Sequence, residues 1–130
     1  MRGNRTVVKL TRWARAPALA LLILAATRAV KRVEVEGPSM SPALEPGDRL
    51  LLVLLRPRLG DVVAVPYPRS GKTVVKRVAS IGPGTLVLAG DNPAESTDSR
   101  QFGPVPVRRL VPVAVYRYAP ADRSGRLSRS

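Results

Sequence analysis

The hydrophobic residues of this chain follow two patterns, and the change between them falls near residue 33. Residues 16–27 form an uncharged apolar run, which extends to Val30 only if Arg28 turns its charge outwards. From residue 33 onwards, short runs of valine and leucine are separated by proline and glycine, which is typical of strands joined by turns. The pattern therefore predicts a short amino-terminal hydrophobic helix followed by a mainly β domain.

The same pattern divides the chain into four segments. We predict a basic segment at 1–15, the hydrophobic helix at 16–32, the β domain at 33–118 and a basic tail at 119–130. Within the β domain, strands are predicted at 33–36, 49–55, 61–65, 73–79, 85–89 and 111–118. The tail is polar and rich in small and basic residues, so we expect it to be disordered.

The apolar run at residues 16–30 is favoured as a short membrane anchor. A transmembrane helix needs about 17–25 residues, so a signal-peptide core, a helix lying in the membrane interface and a buried helix are the alternatives. Five basic residues precede the run and three follow it. This predicts a single-pass protein of the cell membrane with its amino terminus inside and its domain outside, and a cytoplasmic domain is the alternative.

The positive charge is concentrated at the two ends of the chain. The net charge is +13, of which residues 1–32 carry +8, residues 117–130 carry +3 and residues 33–116 only +2. A folded nucleic-acid-binding domain places its basic patch on the domain itself, usually beside aromatic residues, and aromatics are only 4% of this chain. The distribution argues against nucleic acid as a partner and favours membrane lipid.

The chain contains no histidine and no cysteine. This excludes a Ser-His-Asp triad, a cysteine nucleophile and zinc sites built from cysteine and histidine. Acid–base chemistry must therefore come from lysine, aspartate, glutamate or tyrosine. We expect no metal and no cofactor.

Ser39 lies in a stiff connection between the first two predicted strands. Prolines at positions 38, 42 and 46 restrict the backbone, and Gly37 lets a reactant or another backbone segment come close. Such a connection can present a nucleophile. The alternative is an ordinary serine in a surface turn.

Lys76 is the candidate partner of this serine, because an unprotonated lysine replaces histidine in some serine hydrolases. Strand alternation places Lys76 on the same face as Val74 and Val78, and burial there would lower its pKa. The alternative is a lysine that protects a sheet edge. Arg77 points to the other face, where it could serve as a fixed cation.

Three motifs, in this order along the chain, resemble those of the type I signal peptidase family. Members of that family are membrane-bound serine endopeptidases with a Ser-Lys dyad and a mainly antiparallel β fold. The motifs are Gly37-x-Ser39-Met40-x-Pro42 with Gly47-Asp48, then Val75-Lys76-Arg77, then Gly90-Asp91-Asn92-x-x-x-Ser96-x-Asp98-Ser99-Arg100-x-Phe102-Gly103-x-Val105-Pro106. The resemblance implies cleavage of precursor proteins after an amino-terminal leader, with small residues preferred before the cut.

The resemblance also implies roles for individual residues. Ser39 would be the nucleophile, Lys76 the general base and Ser96 the hydroxyl that orients the lysine. The supporting residues are Asp98, Arg100 and Arg77 as an ion-pair group, Gly90, Asp91 and Asn92 as a conformational motif, and Gly37 and Met40 beside the serine. Some relatives have a serine at the position of Gly37, so here the oxyanion must rely on backbone amides, including that of Ser39.

Only fourteen positions separate Lys76 from Gly90, so the second, larger β insertion of many family members is missing and substrate reach is narrower. Compact members also resemble the peptidases that mature nickel-containing superoxide dismutase and the mitochondrial inner-membrane peptidases. An inactive, basic, membrane-associated binding module is the alternative from another class, and an intact Ser39, Lys76 and Ser96 argue against it. The sequence does not determine the oligomeric state.

Overall fold

The computed structural model of the protein describes residues 17–24 and 30–129. The chain divides into two compact units, residues 1–30 and residues 31–130. In the first unit, residues 17–24 form helix α1. Within the described ranges, no helix is both long enough and apolar enough to cross a membrane.

The hydrophobic helix predicted at residues 16–32 differs from the structure at its carboxyl end. Residues 17–24 are helical, whereas residues 16 and 25–29, like the predicted basic segment at 1–15, lie outside the described residues. The prediction is wrong for its last three residues, because strand β1 (Val30–Glu34) begins there. Val30 and Val33 are β-branched, and pairing with the neighbouring strand outweighs the helical preference of the apolar run.

The second unit is built on one sheet. After β1, its strands are β2 (Arg49–Leu55), β3 (Val62–Pro66), β4 (Thr73–Gly82), β5 (Thr85–Ala89), β6 (Val105–Pro106), β7 (Val111–Ala119) and β8 (Gly125–Arg126). Their order is β1-β2-β7-β3-β4-β5-β6, and β8 also pairs with β7. The pairs β2–β7, β3–β4, β3–β7, β4–β5, β5–β6 and β7–β8 are antiparallel. The predicted mainly β, antiparallel fold is confirmed.

Helical structure in this unit is confined to short connections. Two are single turns of 3-10 helix, Pro93–Glu95 and Ala121–Arg123, and one is a short α-helix, α2 (Ser99–Phe102). The segment at 90–106, which reads from sequence as one long turn, therefore contains a 3-10 turn, α2 and strand β6. Strand β6 pairs with β5, and α2 contacts the same strand.

Strand β3 shows why the domain has two small cores. Its residues from Val62 to Val65 are each at most 3% exposed. Val62 and Ala64 pack in one hydrophobic cluster with Met40 and Leu44, whereas Val63 and Val65 pack in the other. Because successive side chains of a strand point to opposite faces, a continuous apolar run needs a core on both sides.

Six of the eight strands were predicted. Strands β2 and β5 have the predicted bounds, and the other four differ by one to three residues at an end. Strands β6 and β8 were missed because each has only two residues and forms by pairing with β5 or β7 rather than from a local alternating pattern.

The prediction of a disordered tail at residues 119–130 is wrong for the described part of that segment. Ala119 ends β7, and the following residues form the 3-10 turn and β8. Leu127 packs against a core cluster, and Arg129 binds the buried carboxylate of Asp61 at 2.6 Å. Arginines that look like a solvated tail in the sequence therefore bind carboxylates of the domain.

Candidate active site

Ser39 lies on a closed loop between β1 and β2. The two ends of the loop are held together by hydrogen bonds from the Val35 amide to the Asp48 carbonyl and from the Gly47 amide to the Val35 carbonyl, both 2.8 Å long. Gly37 has a φ of +72°, a conformation that other residues rarely adopt. The sequence motif around Ser39 therefore folds as one fixed loop.

The side of the loop opposite Ser39 is fixed in the core. Met40 and Leu44 are each 1% exposed, and the Leu44 amide donates to the Met40 carbonyl at 3.0 Å. Ser39 itself is half-buried. Its carbonyl oxygen accepts a 2.9 Å hydrogen bond from the Asn92 amide, and the Asn92 side chain donates to the Pro38 carbonyl at 3.3 Å.

Lys76 lies in β4 opposite Val63 of β3, which is fully buried. The lysine is 5% exposed, as is expected for a side chain on the apolar face of the strand. Its Nζ donates a 3.0 Å hydrogen bond to Ser96 Oγ. Ser96 is also buried, so a hydroxyl without charge is the polar partner of this amine.

The hydroxyl of Ser96 is oriented in turn by a buried carboxylate. Ser96 Oγ donates to Asp98 Oδ2 at 3.1 Å, and Asp98 is fully buried. Arg100 forms two side-chain hydrogen bonds with this carboxylate, of 2.8 and 2.9 Å. Because an ionised carboxylate only accepts hydrogen bonds, Ser96 must donate to Asp98 and accept from Lys76.

This arrangement lowers the pKa of both Lys76 and Asp98. The lower pKa disfavours the charged form of the lysine and favours the charged form of the aspartate. Burial lowers the pKa of Lys76 below its ordinary 10.5; the Asp98 charge opposes this shift, and the Arg100 charge adds to it. The hydrogen bond from Arg100 holds the pKa of Asp98 well below its usual range. Near neutral pH the site therefore contains an ionised aspartate one hydroxyl away from a lysine that is easier to deprotonate than usual.

Ser39 and Lys76 line the same open groove, which has a volume of about 730 Å³. One wall consists of β1 and the residues that follow it, and the other consists of the first residues of β4. Strand β5 pairs with β4 only from Arg77 onwards, so residues 73–76 have one edge without a partner strand in the described chain. Ser39 Oγ forms no hydrogen bond to Lys76 Nζ, and catalytic hydrogen bonds are often long before substrate binds.

Arg77 does not belong to the ion-pair group of Asp98. It binds Asp91 through two hydrogen bonds of 2.7 and 2.8 Å, and it also donates to the carbonyl oxygens of Gly60 and Ser128. The expectation that Arg77 pairs with Asp98 is therefore wrong. The reason is strand alternation, since Arg77 and Lys76 are neighbours and their side chains leave opposite faces of β4.

Gly90 lies between the Ser39 loop and the residues around Ser96. A Cβ at this position would overlap the Ser96 side chain and would lie 2.7 Å from the Ser39 carbonyl oxygen. Its amide donates to Asp98 Oδ2 at 2.9 Å. Glycine is therefore needed here for space, because any side chain would push the two segments apart.

Sequence reasoning assigned no role to three residues that support the site, although two of them, Asp48 and Ser99, lie in its motifs. Gln101 closes a capping box with Asp98 at the start of α2, and Ser99 Oγ accepts a 2.8 Å hydrogen bond from the Leu88 amide. Asp48 is 1% exposed and binds Arg117 and Arg123. The spacing of Asp98 and Gln101 is the capping signal that could have predicted the first contact. Among the described residues, no group of three or more acidic side chains could hold a metal ion.

Comparison with known proteins decides the family. The family model described as "Signal peptidase, peptidase S26" matches residues 10–85 and 79–119. The chain belongs to the signal peptidase S26 family. The predicted family resemblance is thereby confirmed, and membership supports a peptidase with signal-peptidase-like function.

Two proteins of Arabidopsis thaliana are similar to this S26 family member. One is named mitochondrial ATP-independent inner membrane protease subunit 1a and is 35% identical in a match that covers 75% of this chain and 76% of the relative. The other is named mitochondrial ATP-independent inner membrane protease subunit 1b and is 29% identical in a match that covers 70% of this chain and 71% of the relative.

The geometry of Gly90 gives a first testable prediction. We expect Gly90→Ala to lower the melting temperature and to displace Ser96 from Lys76, because the new methyl group overlaps the Ser96 side chain. Thermal unfolding and a structure of the variant measure both effects. Gly82→Ala is the matched control, since its Cβ meets only the rotatable Thr85 hydroxyl, at 2.9 Å. Equal melting temperatures of the two variants would contradict the prediction.

Proposed function

We propose that this S26 family member is a serine endopeptidase that removes amino-terminal leader peptides from precursor proteins, with Ser39 as nucleophile and Lys76 as general base. The observation that supports this most is the buried Lys76 amine, which has a neutral hydroxyl as its partner and shares a groove with Ser39. A lysine that only protected a sheet edge would keep its charge in solvent.

The reaction follows from these groups. The neutral Lys76 amine takes the proton of Ser39 as Ser39 Oγ attacks the scissile carbonyl, forming a tetrahedral oxyanion. The protonated lysine then donates its proton to the leaving amine as the peptide bond breaks. The acyl group stays on Ser39 as an acyl-enzyme. Water, activated by the same lysine, releases the new carboxylate. The Ser39 amide has no hydrogen-bond acceptor among the described residues and is available to stabilise the oxyanion.

Ser96 orients the Lys76 amine by a hydrogen bond. A free lysine amine rotates about its last bonds, so its lone pair has no fixed orientation. Ser96 Oγ accepts one hydrogen of the amine because its own proton is directed to Asp98. The lone pair of neutral Lys76 therefore points away from Ser96, which leaves it free to face the groove that also contains Ser39.

The groove suits an extended peptide rather than a folded surface. Strand β1 is at the end of the sheet order, and residues 73–76 of β4 have one open edge. Backbone groups at these edges can pair with an extended segment of a precursor. The family resemblance adds a preference for small residues before the cut.

The connection between β4 and β5 bears on the range of precursors. The two strands pair up to Gly82 and Thr85, so the hairpin turn contains only two residues and no inserted β domain. This favours a narrow set of precursors over a general secretory range. A dedicated maturation peptidase, such as one for nickel-containing superoxide dismutase, is the second candidate.

We also propose that the protein works at a membrane, as the names of its two relatives state for those proteins. One end of the sheet carries exposed leucine and isoleucine beside arginine. We call this surface the apolar-basic rim; it comprises Leu54, Leu55, Ile81, Leu110, Arg56, Arg108 and Arg109. Apolar side chains flanked by arginine suit the interface of an anionic bilayer. The apolar run that precedes β1, residues 16–29, is proposed as a single span with the domain outside the cell.

The catalytic assignment is tested by three variants. We expect Ser39→Ala and Lys76→Ala to abolish cleavage, and Ser96→Ala to lower kcat about 10²- to 10⁴-fold, the range for a group that positions proton transfer. The assay offers a secretory precursor and a nickel superoxide dismutase precursor separately, and the new amino termini are sequenced. Ser80→Ala, at an exposed serine of β4 outside the groove, is the matched control.

Each outcome of this assay has a defined meaning. Cleavage by Ser39→Ala would refute the dyad. Cleavage of only the dismutase precursor would favour the dedicated peptidase. Cleavage of neither precursor by the wild-type chain would favour the inactive binding module.

The pH profile tests the state of Lys76. Because only the neutral amine is a base and burial lowers its pKa, kcat/KM should rise with pH and level off below the ordinary lysine pKa of 10.5. Arg100→Ala removes a charge that lowers the pKa of Lys76 and leaves Asp98 less neutralised, so the rise should move to higher pH. Arg69→Ala is the exposed control. A profile that does not move in Arg100→Ala would contradict this assignment.

The membrane proposal is tested with single spin labels, because the chain has no cysteine of its own. Leu110→Cys and Arg69→Cys are labelled in the full chain bound to vesicles containing anionic lipid. We expect the label at position 110 to be more accessible to oxygen than to a water-soluble relaxation agent, and the label at position 69 to show the reverse. If both labels are more accessible to the water-soluble agent than to oxygen, the apolar-basic rim does not contact lipid.

A further inference from the structure

The carboxyl-terminal residues 120–129, which we call the strap, contact the base of the Ser39 loop. Arg123 of the strap binds Asp48 Oδ1 at 2.9 Å, and Arg117 of β7 binds Asp48 Oδ2 at 3.1 Å. Asp48 is 1% exposed, and its carbonyl oxygen accepts the hydrogen bond from Val35 that closes the loop. The strap thus contributes one of two cations to a buried carboxylate at the closure point of this loop.

The far end of the strap is linked to the same loop indirectly, through Arg77 and Asp91. The Ser128 carbonyl accepts a 3.1 Å hydrogen bond from Arg77, and Arg77 holds Asp91 through both carboxylate oxygens. The next residue, Asn92, donates to the carbonyl oxygen of Ser39 itself. Two series of contacts therefore connect the strap to Ser39, one through Asp48 and one through Arg77.

The strap also has its own attachment to the domain. Strand β8 pairs with β7, Leu127 packs against the cluster that contains Met40 and Leu44, and Arg129 binds Asp61 at 2.6 Å. The match to the family model ends at residue 119, before the strap begins. The strap is therefore attached at several points along its length and lies outside the matched part of the chain.

We propose that the strap positions Ser39 for its reaction and that Arg123 is a positioning residue. This inference rests on the proposed function of Ser39. Nucleophilic attack depends on placement to within a fraction of an ångström, and a displacement of about 1 Å can reduce a rate about 10²-fold. An ion pair at the closure point of the loop restricts that displacement without touching substrate.

The neighbouring contacts separate positioning from folding. In Arg123→Ala, Asp48 keeps its ion pair with Arg117 and its 2.9 Å hydrogen bond from the Glu45 amide. The buried carboxylate is therefore not left unpaired, which is the usual reason for large destabilisation. Strand β8, Leu127 and the Arg129–Asp61 pair also remain. The variant loses one restraint on the loop while the strap stays attached.

The test compares three single variants of the full chain. We expect Arg123→Ala to lower kcat about 10- to 100-fold with KM and the melting temperature little changed. Arg126→Ala is the matched control, because Arg126 is exposed and its side chain forms no ion pair within residues 30–129. Arg123→Lys keeps a cation beside Asp48 and should recover part of kcat. Equal kcat in Arg123→Ala and Arg126→Ala would overturn the proposal.

A second measurement does not depend on catalysis. Amide hydrogen exchange of the peptide covering residues 35–48 should be faster in Arg123→Ala than in Arg126→Ala, with no change in β5. Unchanged exchange overturns the proposal, and so does faster exchange with unchanged kcat. If Ser39→Ala still cleaves, the assignment of Ser39 fails, and exchange alone then shows whether the strap restrains the loop.

Discussion

The buried carboxylate of Asp98 is the interaction on which the candidate site depends. A charge with no solvent exposure is stable only when hydrogen bonds replace its lost hydration. Asp98 accepts five such bonds, from the Gly90 amide, from Ser96 Oγ and from the amide and two side-chain nitrogens of Arg100. These bonds fix the orientation of the Ser96 hydroxyl, and that hydroxyl determines how the Lys76 amine is held.

A second buried carboxylate organises the loop that carries the candidate nucleophile. Asp48, like Asp98, is buried and bound by arginine, and its partners are Arg117, Arg123 and a backbone amide. The two carboxylates lie in different segments, and Asn92 joins those segments through its hydrogen bonds to Pro38 and Ser39. The site is therefore assembled from three separate parts of the chain, each stabilised by contacts outside the groove.

The positive charge of the chain has more than one role in this structure. Arg117, Arg123 and Arg129 belong to the basic stretch at residues 117–130, and each binds a carboxylate that is 1–7% exposed. These arginines contribute to folding, so they are not free for lipid. The arginines of the apolar-basic rim are instead exposed on the domain itself. Counting charges by segment could not separate these roles, because composition does not report which carboxylates are buried.

The sequence by itself determined the family, the mainly β fold and most strand positions, because alternating apolar runs and short motifs are local signals. It also predicted that Lys76 would be buried, since a lysine between Val74 and Val78 shares their face of β4. Only the tertiary structure decided which partners the charged residues have. Arg77 pairs with Asp91 rather than Asp98, and Arg123 reaches Asp48 across 75 positions of the chain. Long-range ion pairs depend on how strands are ordered in the sheet, and no local pattern of residues encodes that order.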